Sequence, residues 1–403
     1  MAVTKNAIGT DSSSVTAIYN IGIFCWAILC RRHLVRFKVC LIDILVLSLA
    51  LLILLPNLGA YGSYESIASS TRILAGYYLV RSLSSIEIPR FLRYCFVLGL
   101  GTLVIGLLQM PSTLRHWQTE FSRPQISGDT ANPVIFGLFV GLFAIQTIAT
   151  MEARQLAGLQ KLWCLSLIAI SIFSLSVFGG KTNLISVCLI GLGSVLLCPL
   201  LSIKGRVLGI CIFFLTVTAA VSVAPRNILA FYDLVNFTEI IEATESPLNS
   251  PVIDPANREI SEGDIGVDPN NTAAVRVVLL RIGFDLFCNN IFFGYGPMVN
   301  MNPHSVHAQM LFEYGIFAGV IFIVIGASVI FKLSRCAFGL SAKLKGVSWI
   351  LLVLIVEVVI YNEVLGSVTN LLQYFMLLGA AVVLTLEVRA KARHTQLSSP
   401  WLQ

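Results

Sequence analysis

The chain has 403 residues, of which 56% are hydrophobic and 12% are charged, whereas soluble domains carry roughly 25% charged residues. This composition excludes an ordinary soluble enzyme and predicts a protein of the lipid bilayer. The formal net charge of +6 is concentrated in short loops between apolar segments. It therefore indicates membrane orientation, and we expect no nucleic-acid partner.

Apolar segments of about 17–22 residues, long enough for a helix to cross the hydrocarbon core, recur along the chain. They predict an all-α, polytopic membrane helix bundle of about eleven transmembrane helices. No basic region precedes a short apolar core at the N-terminus, so we predict no removable signal peptide. The predicted spans cover residues 15–30, 39–55, 67–83, 94–110, 133–151, 162–178, 182–201, 207–223, 311–332, 347–365 and 368–386.

Basic residues are concentrated in every second loop between these spans. Because Lys and Arg mark the cytoplasmic side of short loops, the alternation predicts an external N-terminus and a cytoplasmic C-terminus. The external side then holds the loop 112–132, Lys181, the long segment 224–303 and His304.

This topology divides the chain into four parts. They are an N-terminal membrane bundle at 1–223, an external segment with the catalytic motifs at 224–310, three C-terminal membrane helices at 311–388 and a cytoplasmic tail at 389–403. Within the external segment, residues 226–242 and 273–289 have helical periodicity, and a loop rich in Pro, Asp, Asn and Ser separates them. We therefore expect a cap of short helices on the bundle.

Several cations on the predicted external side could bind phosphate. Arg276 and Arg281 are five residues apart, so they do not share one helix face, and both could instead be interfacial anchors. Lys181 follows two glycines at the mouth of a span, where a snorkelling anchor is the alternative. Arg123 lies in an external loop. Arg72 lies inside a span, and Glu357 could be its partner or a structural hydrogen-bonding group.

Two histidines precede the ninth predicted span. His304 and His307 are three apart and could share one helix face. One of them could act as a general base, since histidine exchanges protons near neutral pH, or both could be structural. A zinc site would need a further ligand, for which Glu313 is the near candidate, and we predict no metal site. The ten cysteines form neither a disulfide framework nor a metal-binding framework.

The order of these motifs resembles the O-antigen ligase and polymerase superfamily of bacterial membrane glycosyltransferases. That pattern has an arginine, an apolar helix, G-x-G, a histidine and then L-x-x-x-G-I. Here Arg276 stands eighteen residues before Gly294, which opens the G-x-G. His304 stands eleven residues before Gly315, so His304, rather than His307, matches the histidine of the family. Gln309, Leu311 and Ile316 continue the match.

Two further stretches resemble the family. SLSVFGGKTNLIS places Lys181 where the family has an arginine, and SRPQISGDTANP places Arg123 in an earlier external loop. The chain departs from the pattern at three positions. Lysine at 181 keeps the charge but loses the bidentate fork of arginine, Ser305 replaces an asparagine, and Leu280 stands where tryptophan is common.

The resemblance implies a GT-C-like bundle in the bacterial inner membrane with its active site facing the periplasm. It implies metal-independent, inverting transfer of a glycan from an undecaprenyl-pyrophosphate donor, with no cofactor. His304 and Arg276 would be catalytic. The pyrophosphate contacts would be Lys181, Arg276, Arg281, Arg123 and Arg72.

The acceptor distinguishes two activities within this family. A polymerase of O-antigen, capsule or exopolysaccharide extends a lipid-linked glycan, whereas a ligase transfers the glycan to lipid A core or to a protein. The departures around Lys181 favour the polymerase. A flippase or transporter is the alternative from another class, and it would place charged residues along a central pathway.

Overall fold

The computed structural model describes residues 39–54, 64–119, 133–154, 156, 158–177, 181–222, 241, 272–295, 305–339, 342–364 and 371–397. All regular structure in these residues is helical, which confirms the all-α prediction. The helices are α1 Leu41–Leu54, α2 Tyr64–Arg81, α3 Ile88–Thr119, α4 Pro133–Arg154, α5 Gly158–Val177, α6 Lys181–Leu197, α7 Ile203–Ser222, α8 Thr272–Asn289, α9 Val306–Gly339, α10 Ala342–Val364 and α11 Leu371–Leu397.

Six of the described helices are long and apolar enough to cross a membrane. They lie in α3, α4, α5, α9, α10 and α11, and α1 and α6 contain shorter apolar helices. A membrane protein is therefore supported, while the number of crossings stays a prediction. The span predicted at 15–30 lies outside the described residues.

Contacts between α4 and α10 set the direction in which these neighbouring helices run. Glu152, near the end of α4, accepts a hydrogen bond from the indole of Trp349, near the start of α10. Earlier in α4, a side chain added at Gly141 would lie 3.5 Å from the carboxylate of Glu357, further along α10. The two helices are therefore antiparallel, as the predicted spans require. We name the end where α10 terminates the upper end, and the opposite end the lower end.

Small residues let α2 and α11 approach closely. A Cβ atom added at Gly76 would lie 2.6 Å from the carbonyl oxygen of Leu372, and one at Gly379 would lie 2.6 Å from that of Tyr77. The order of these contacts makes the two helices parallel, as expected for the third and eleventh predicted spans, which cross the membrane in the same direction. Close backbone approach of this kind is a main source of packing energy between membrane helices.

A buried ion pair joins α1 to α2. The carboxylate of Asp43 lies 3.0 Å from Nε of Arg81 and also accepts hydrogen bonds from the Tyr77 hydroxyl at 2.8 Å and the Cys40 amide at 2.7 Å. Both charged side chains are less than one-tenth exposed. A charge inside a membrane bundle is tolerated when it is paired in this way.

The segment predicted as helical at 273–289 is helical in the structure, as α8. It packs against α9 through the rings of Phe287 and Phe312, whose centroids are 6.2 Å apart. The other predicted helix of the external segment, at 226–242, lies outside the described residues apart from Ile241.

Candidate active site at the upper end

The helix α9 reverses direction at Gly315. Its backbone there has φ 81° and ψ 177°, a conformation open almost only to glycine. The rings of His307 and Phe322 are 4.8 Å apart, although fifteen residues of straight helix would separate them by about 22 Å. Residues 306–314 therefore form a short arm that folds back along 316–339. This corrects the span predicted at 311–332, because the crossing helix begins only after Gly315.

The turn after α8 supplies the hydrogen bonds that this reversal breaks. In a continuous helix the amide of Ile316 would donate to the carbonyl of Phe312. Instead, Ile316 donates to the carbonyl of Ile291 at 2.8 Å, and Phe312 accepts from the amide of Tyr295 at 2.9 Å. One helical bond is thus replaced by two bonds to residues 291–295, so the Ile316 amide and the Phe312 carbonyl both keep a hydrogen-bond partner.

Two glycines from separate sequence motifs meet at this reversal. A Cβ atom added at Gly294, whose φ is 67°, would lie 2.5 Å from the carbonyl carbon of Glu313. One added at Gly315 would lie 2.2 Å from the carbonyl oxygen of Phe292. Leu311 packs over Gly319, where a Cβ atom would lie 2.4 Å from the leucine side chain. The motif glycines thus have a structural explanation in the helix reversal.

Ser305 caps the folded-back arm and joins it to α10. Its hydroxyl oxygen accepts a hydrogen bond from the amide of Ala308 at 3.2 Å, which is the usual bond of a helix N-cap. The same hydroxyl donates to Oε2 of Glu363 at 2.7 Å. Glu363 lies at the end of α10, so this contact places the start of α9 against the upper end of the bundle.

The other oxygen of Glu363 holds His307. Oε1 of the carboxylate contacts Nδ1 of the imidazole, and the Phe322 ring meets the imidazole edge to face. The side chains of His307 and Glu363 are 27% and 34% exposed, so the pair is oriented but accessible. With the carboxylate ionised, Nδ1 carries the proton and Nε2 of the neutral ring is left as an acceptor.

Glu363 is the site residue that sequence reasoning missed. The available signal was an acid near the outer end of a predicted span, but Glu363 and His307 are 56 residues apart in sequence. Their contact depends on the reversal at Gly315, which places His307 beside the end of α10 instead of above it.

Lys181, the first residue of α6, lies at about the same level along the bundle axis as Glu363. Ser186 of α6 donates a hydrogen bond to Glu357 of α10 at 2.8 Å. Because α4 contacts α6 at Val187 and then at Ser194, α6 runs parallel to α4 and therefore antiparallel to α10. Lys181 lies five residues before Ser186, and Glu363 lies six residues after Glu357. At about 1.5 Å per residue, both positions are roughly 8 Å above that bond.

The predicted arginines occupy two elements. Arg276 and Arg281 are half-buried in α8, which packs on α9. Arg72 is half-buried in α2, two residues after Ser70, whose hydroxyl donates to the carbonyl of Ala50. His304 and Arg123 lie outside the described residues, so the predicted meeting of Arg276 with His304 stays a prediction.

Two acids have roles that the sequence left open. Glu357 is buried and bonds to Ser186, so it serves as a structural hydrogen-bonding group and not as the partner of Arg72. Glu313, considered as a third metal ligand, is buried and accepts a hydrogen bond from the side-chain amide of Gln309 at 2.6 Å. Among the described residues, no three His, Cys, Asp or Glu side chains converge on one point.

A cavity of about 370 Å³ lies near the lower end, between α4, α5, α6 and α7. Its walls are mainly apolar, and Glu152 is the acid that lines it. That carboxylate is bound by the indole of Trp349 at 2.8 Å and is 2% exposed, so the role that the contacts show for it is to join α4 to α10. The candidate active site is therefore at the upper end.

No model of a known protein family matches this chain, and a search of curated proteins finds no match.

Proposed function

We propose that the protein is a membrane glycosyltransferase that transfers a glycan from an undecaprenyl-pyrophosphate donor to a hydroxyl acceptor. The observation that supports it best is the accessible His307 held by Glu363, at the end of the bundle where α6 begins at Lys181. An imidazole that accepts a proton and a cation that binds phosphate are the two groups that this reaction requires.

The chemistry is an in-line displacement at the anomeric carbon. The acceptor oxygen forms the new bond, its proton passes to an imidazole, and the bond from the sugar to the pyrophosphate breaks. Arg276 and Lys181 would hold the pyrophosphate and stabilise the charge that develops on it, with Arg123, Arg281 and Arg72 as further contacts. Because side-chain cations neutralise the leaving group, the reaction would need no metal ion. The resemblance gives the proton-accepting role to His304.

The basic-loop pattern supports a site on the non-cytoplasmic side of the membrane, which the resemblance makes the periplasmic face of the inner membrane. The favoured acceptor is another lipid-linked glycan, which makes the protein a polymerase of O-antigen, capsule or exopolysaccharide. Lipid A core is the acceptor of the alternative ligase.

The test is reconstitution of the purified protein in liposomes with a polyprenyl-pyrophosphate oligosaccharide, with and without chelator, followed by product sizing. We expect longer glycans in both conditions. Products that form only when lipid A core is supplied would indicate the ligase. Movement of labelled donor between leaflets without a new glycosidic bond would contradict the proposal and indicate a flippase.

Variants connect the activity to the site. Arg276→Ala, and a double variant with His304→Ala and His307→Ala, should abolish transfer while membrane insertion stays normal. The matched control is Arg335→Ala, an exposed arginine at the lower end of α9 that stacks on Phe331. Full activity in Arg276→Ala, or equal loss in Arg335→Ala, would count against the proposed site.

A further inference from the structure

The side chains of Ser305, which caps the folded-back arm, and of His307 within the arm converge on one carboxylate of α10. Glu363 accepts the Ser305 hydroxyl on one oxygen and contacts the His307 imidazole with the other. The imidazole packs on Phe322, which in turn contacts the ring of Tyr374, with centroids 5.5 Å apart. Tyr374 is fully buried in α11, so the platform beneath the imidazole is rigid.

We infer that His307, oriented by Glu363, is the proton acceptor of the transfer, with Glu363 as its positioning residue. This inference rests on the proposed function and names the base within it. The sequence spacing favoured His304, but spacing carries no information about which imidazole has a carboxylate partner. In the structure, His307 has such a partner in Glu363.

The acceptor oxygen attacks the anomeric carbon, and its proton moves to Nε2 of His307 as the bond from carbon to pyrophosphate breaks. The proton on Nδ1 stays with the imidazole, and the negative Glu363 stabilises the imidazolium that forms. Water then takes the proton from Nε2, which returns the imidazole to its neutral form.

A purely structural role makes a different prediction. Ser305 and Glu363 join the start of α9 to the end of α10, and a carboxylate near a helix N-terminus is stabilising in itself. If this were the whole role, removing the carboxylate would lower the melting temperature and leave turnover per folded molecule unchanged.

The first test measures kcat and KM of the reconstituted full-length protein with the lipid-linked oligosaccharide. Glu363→Gln should lower kcat by about 10–100-fold while KM changes little, the loss typical of removing a carboxylate that orients a metal-bound histidine. Glu363→Asp should recover part of the loss. The matched control is Glu87→Gln, because Glu87 accepts the Ser84 hydroxyl at 2.8 Å but has no imidazole in that contact.

The second test separates the two histidines. His307→Gly should lose more than about 100-fold in kcat and regain part of it with added imidazole, because general-base catalysis typically contributes that much. His304→Ala should keep the larger kcat of the two. Loss in His304→Ala with normal kcat in His307→Gly overturns the inference and leaves the proposed function standing, whereas absence of any transfer by the wild type defeats both.

A spectroscopic readout does not depend on turnover. The chain has five histidines, so a His307→Gln variant identifies the His307 signal in ¹⁵N NMR of histidine-labelled protein. We expect the wild type to show the tautomer with the proton on Nδ1 and Glu363→Gln to lose that preference. An unchanged tautomer in Glu363→Gln, with kcat within about threefold of wild type, overturns the positioning role.

Discussion

Glu152 of α4 and Glu363 of α10 lie beside opposite ends of α10. Their carboxylates have similar hydrogen-bond partners but serve different roles. At the lower end, Glu152 accepts the ring N–H of Trp349 and lies 3.2 Å from the Ser194 hydroxyl. At the upper end, Glu363 binds the ring nitrogen of His307 and the Ser305 hydroxyl. Each carboxylate thus has one ring nitrogen and one hydroxyl as partners.

The two carboxylates differ in their solvent exposure and in the kind of ring that they bind. Glu152 is 2% exposed, whereas the Glu363 side chain is 34% exposed. Indole only donates a hydrogen bond, while imidazole can also accept a proton. The buried carboxylate of Glu152, bound to an indole, joins two helices. The accessible carboxylate of Glu363, bound to an imidazole, can support a reaction. If this distinction holds, changes near Glu152 should lower stability alone, whereas changes at Glu363 should lower activity.

The largest loss of stability is expected where a buried carboxylate is paired with a full charge. Arg81→Met removes the guanidinium partner of Asp43 and should cost about 3–5 kcal/mol, because it leaves a buried charge without its ion pair. Thermal unfolding in detergent measures this. A double variant that adds Asp43→Asn should recover stability, and failure to do so would show that the pair is not the cause.

Gly315→Ala should have the next largest effect, because it obstructs the reversal that positions His307. The backbone conformation alone costs an alanine about 1–3 kcal/mol, and the new methyl group would overlap the carbonyl of Phe292. We expect loss of both folded protein and transfer activity. Gly193→Ala in α6 is the control, since its Cβ would have nothing within 4 Å and the substitution should be tolerated.

Trp349→Phe tests the role of the buried Glu152 carboxylate directly. It removes the N–H bonded to Glu152 and should cost about 2 kcal/mol, since a buried acceptor loses its donor. Turnover per folded molecule should stay at the wild-type value. A fall in kcat without a fall in melting temperature would contradict the structural assignment of the lower end.

Glu363→Gln should have the smallest effect on stability. A partly exposed ion pair typically contributes about 0–1 kcal/mol, so the melting temperature should change little. Activity should nevertheless fall, in contrast to Trp349→Phe. Comparable thermal losses in the two variants, with activity retained in both, would remove the distinction between the two ends.

Much of the bundle follows from local features of the chain. Apolar length predicted helices at the positions of α1 to α7, α10 and α11, and helical periodicity predicted α8. The order of the predicted spans implied that α4 and α10 run antiparallel and that α2 and α11 run parallel. The contacts at Gly141 and Trp349, and at Gly76 and Gly379, agree with these directions. These features act within one helix or one loop, so they are readable without knowing which helices pack together.

The site required the tertiary structure. The sequence pointed to the segment around His304 and His307 and to the glycines at 294 and 315, because spacing and residue type are local information. It did not show that Gly315 reverses the helix, because the turn 291–295 must be in place to accept from the Ile316 amide and to donate to the Phe312 carbonyl. Nor did it show Glu363 as the partner of His307, since that contact exists only once α9 folds back against the end of α10.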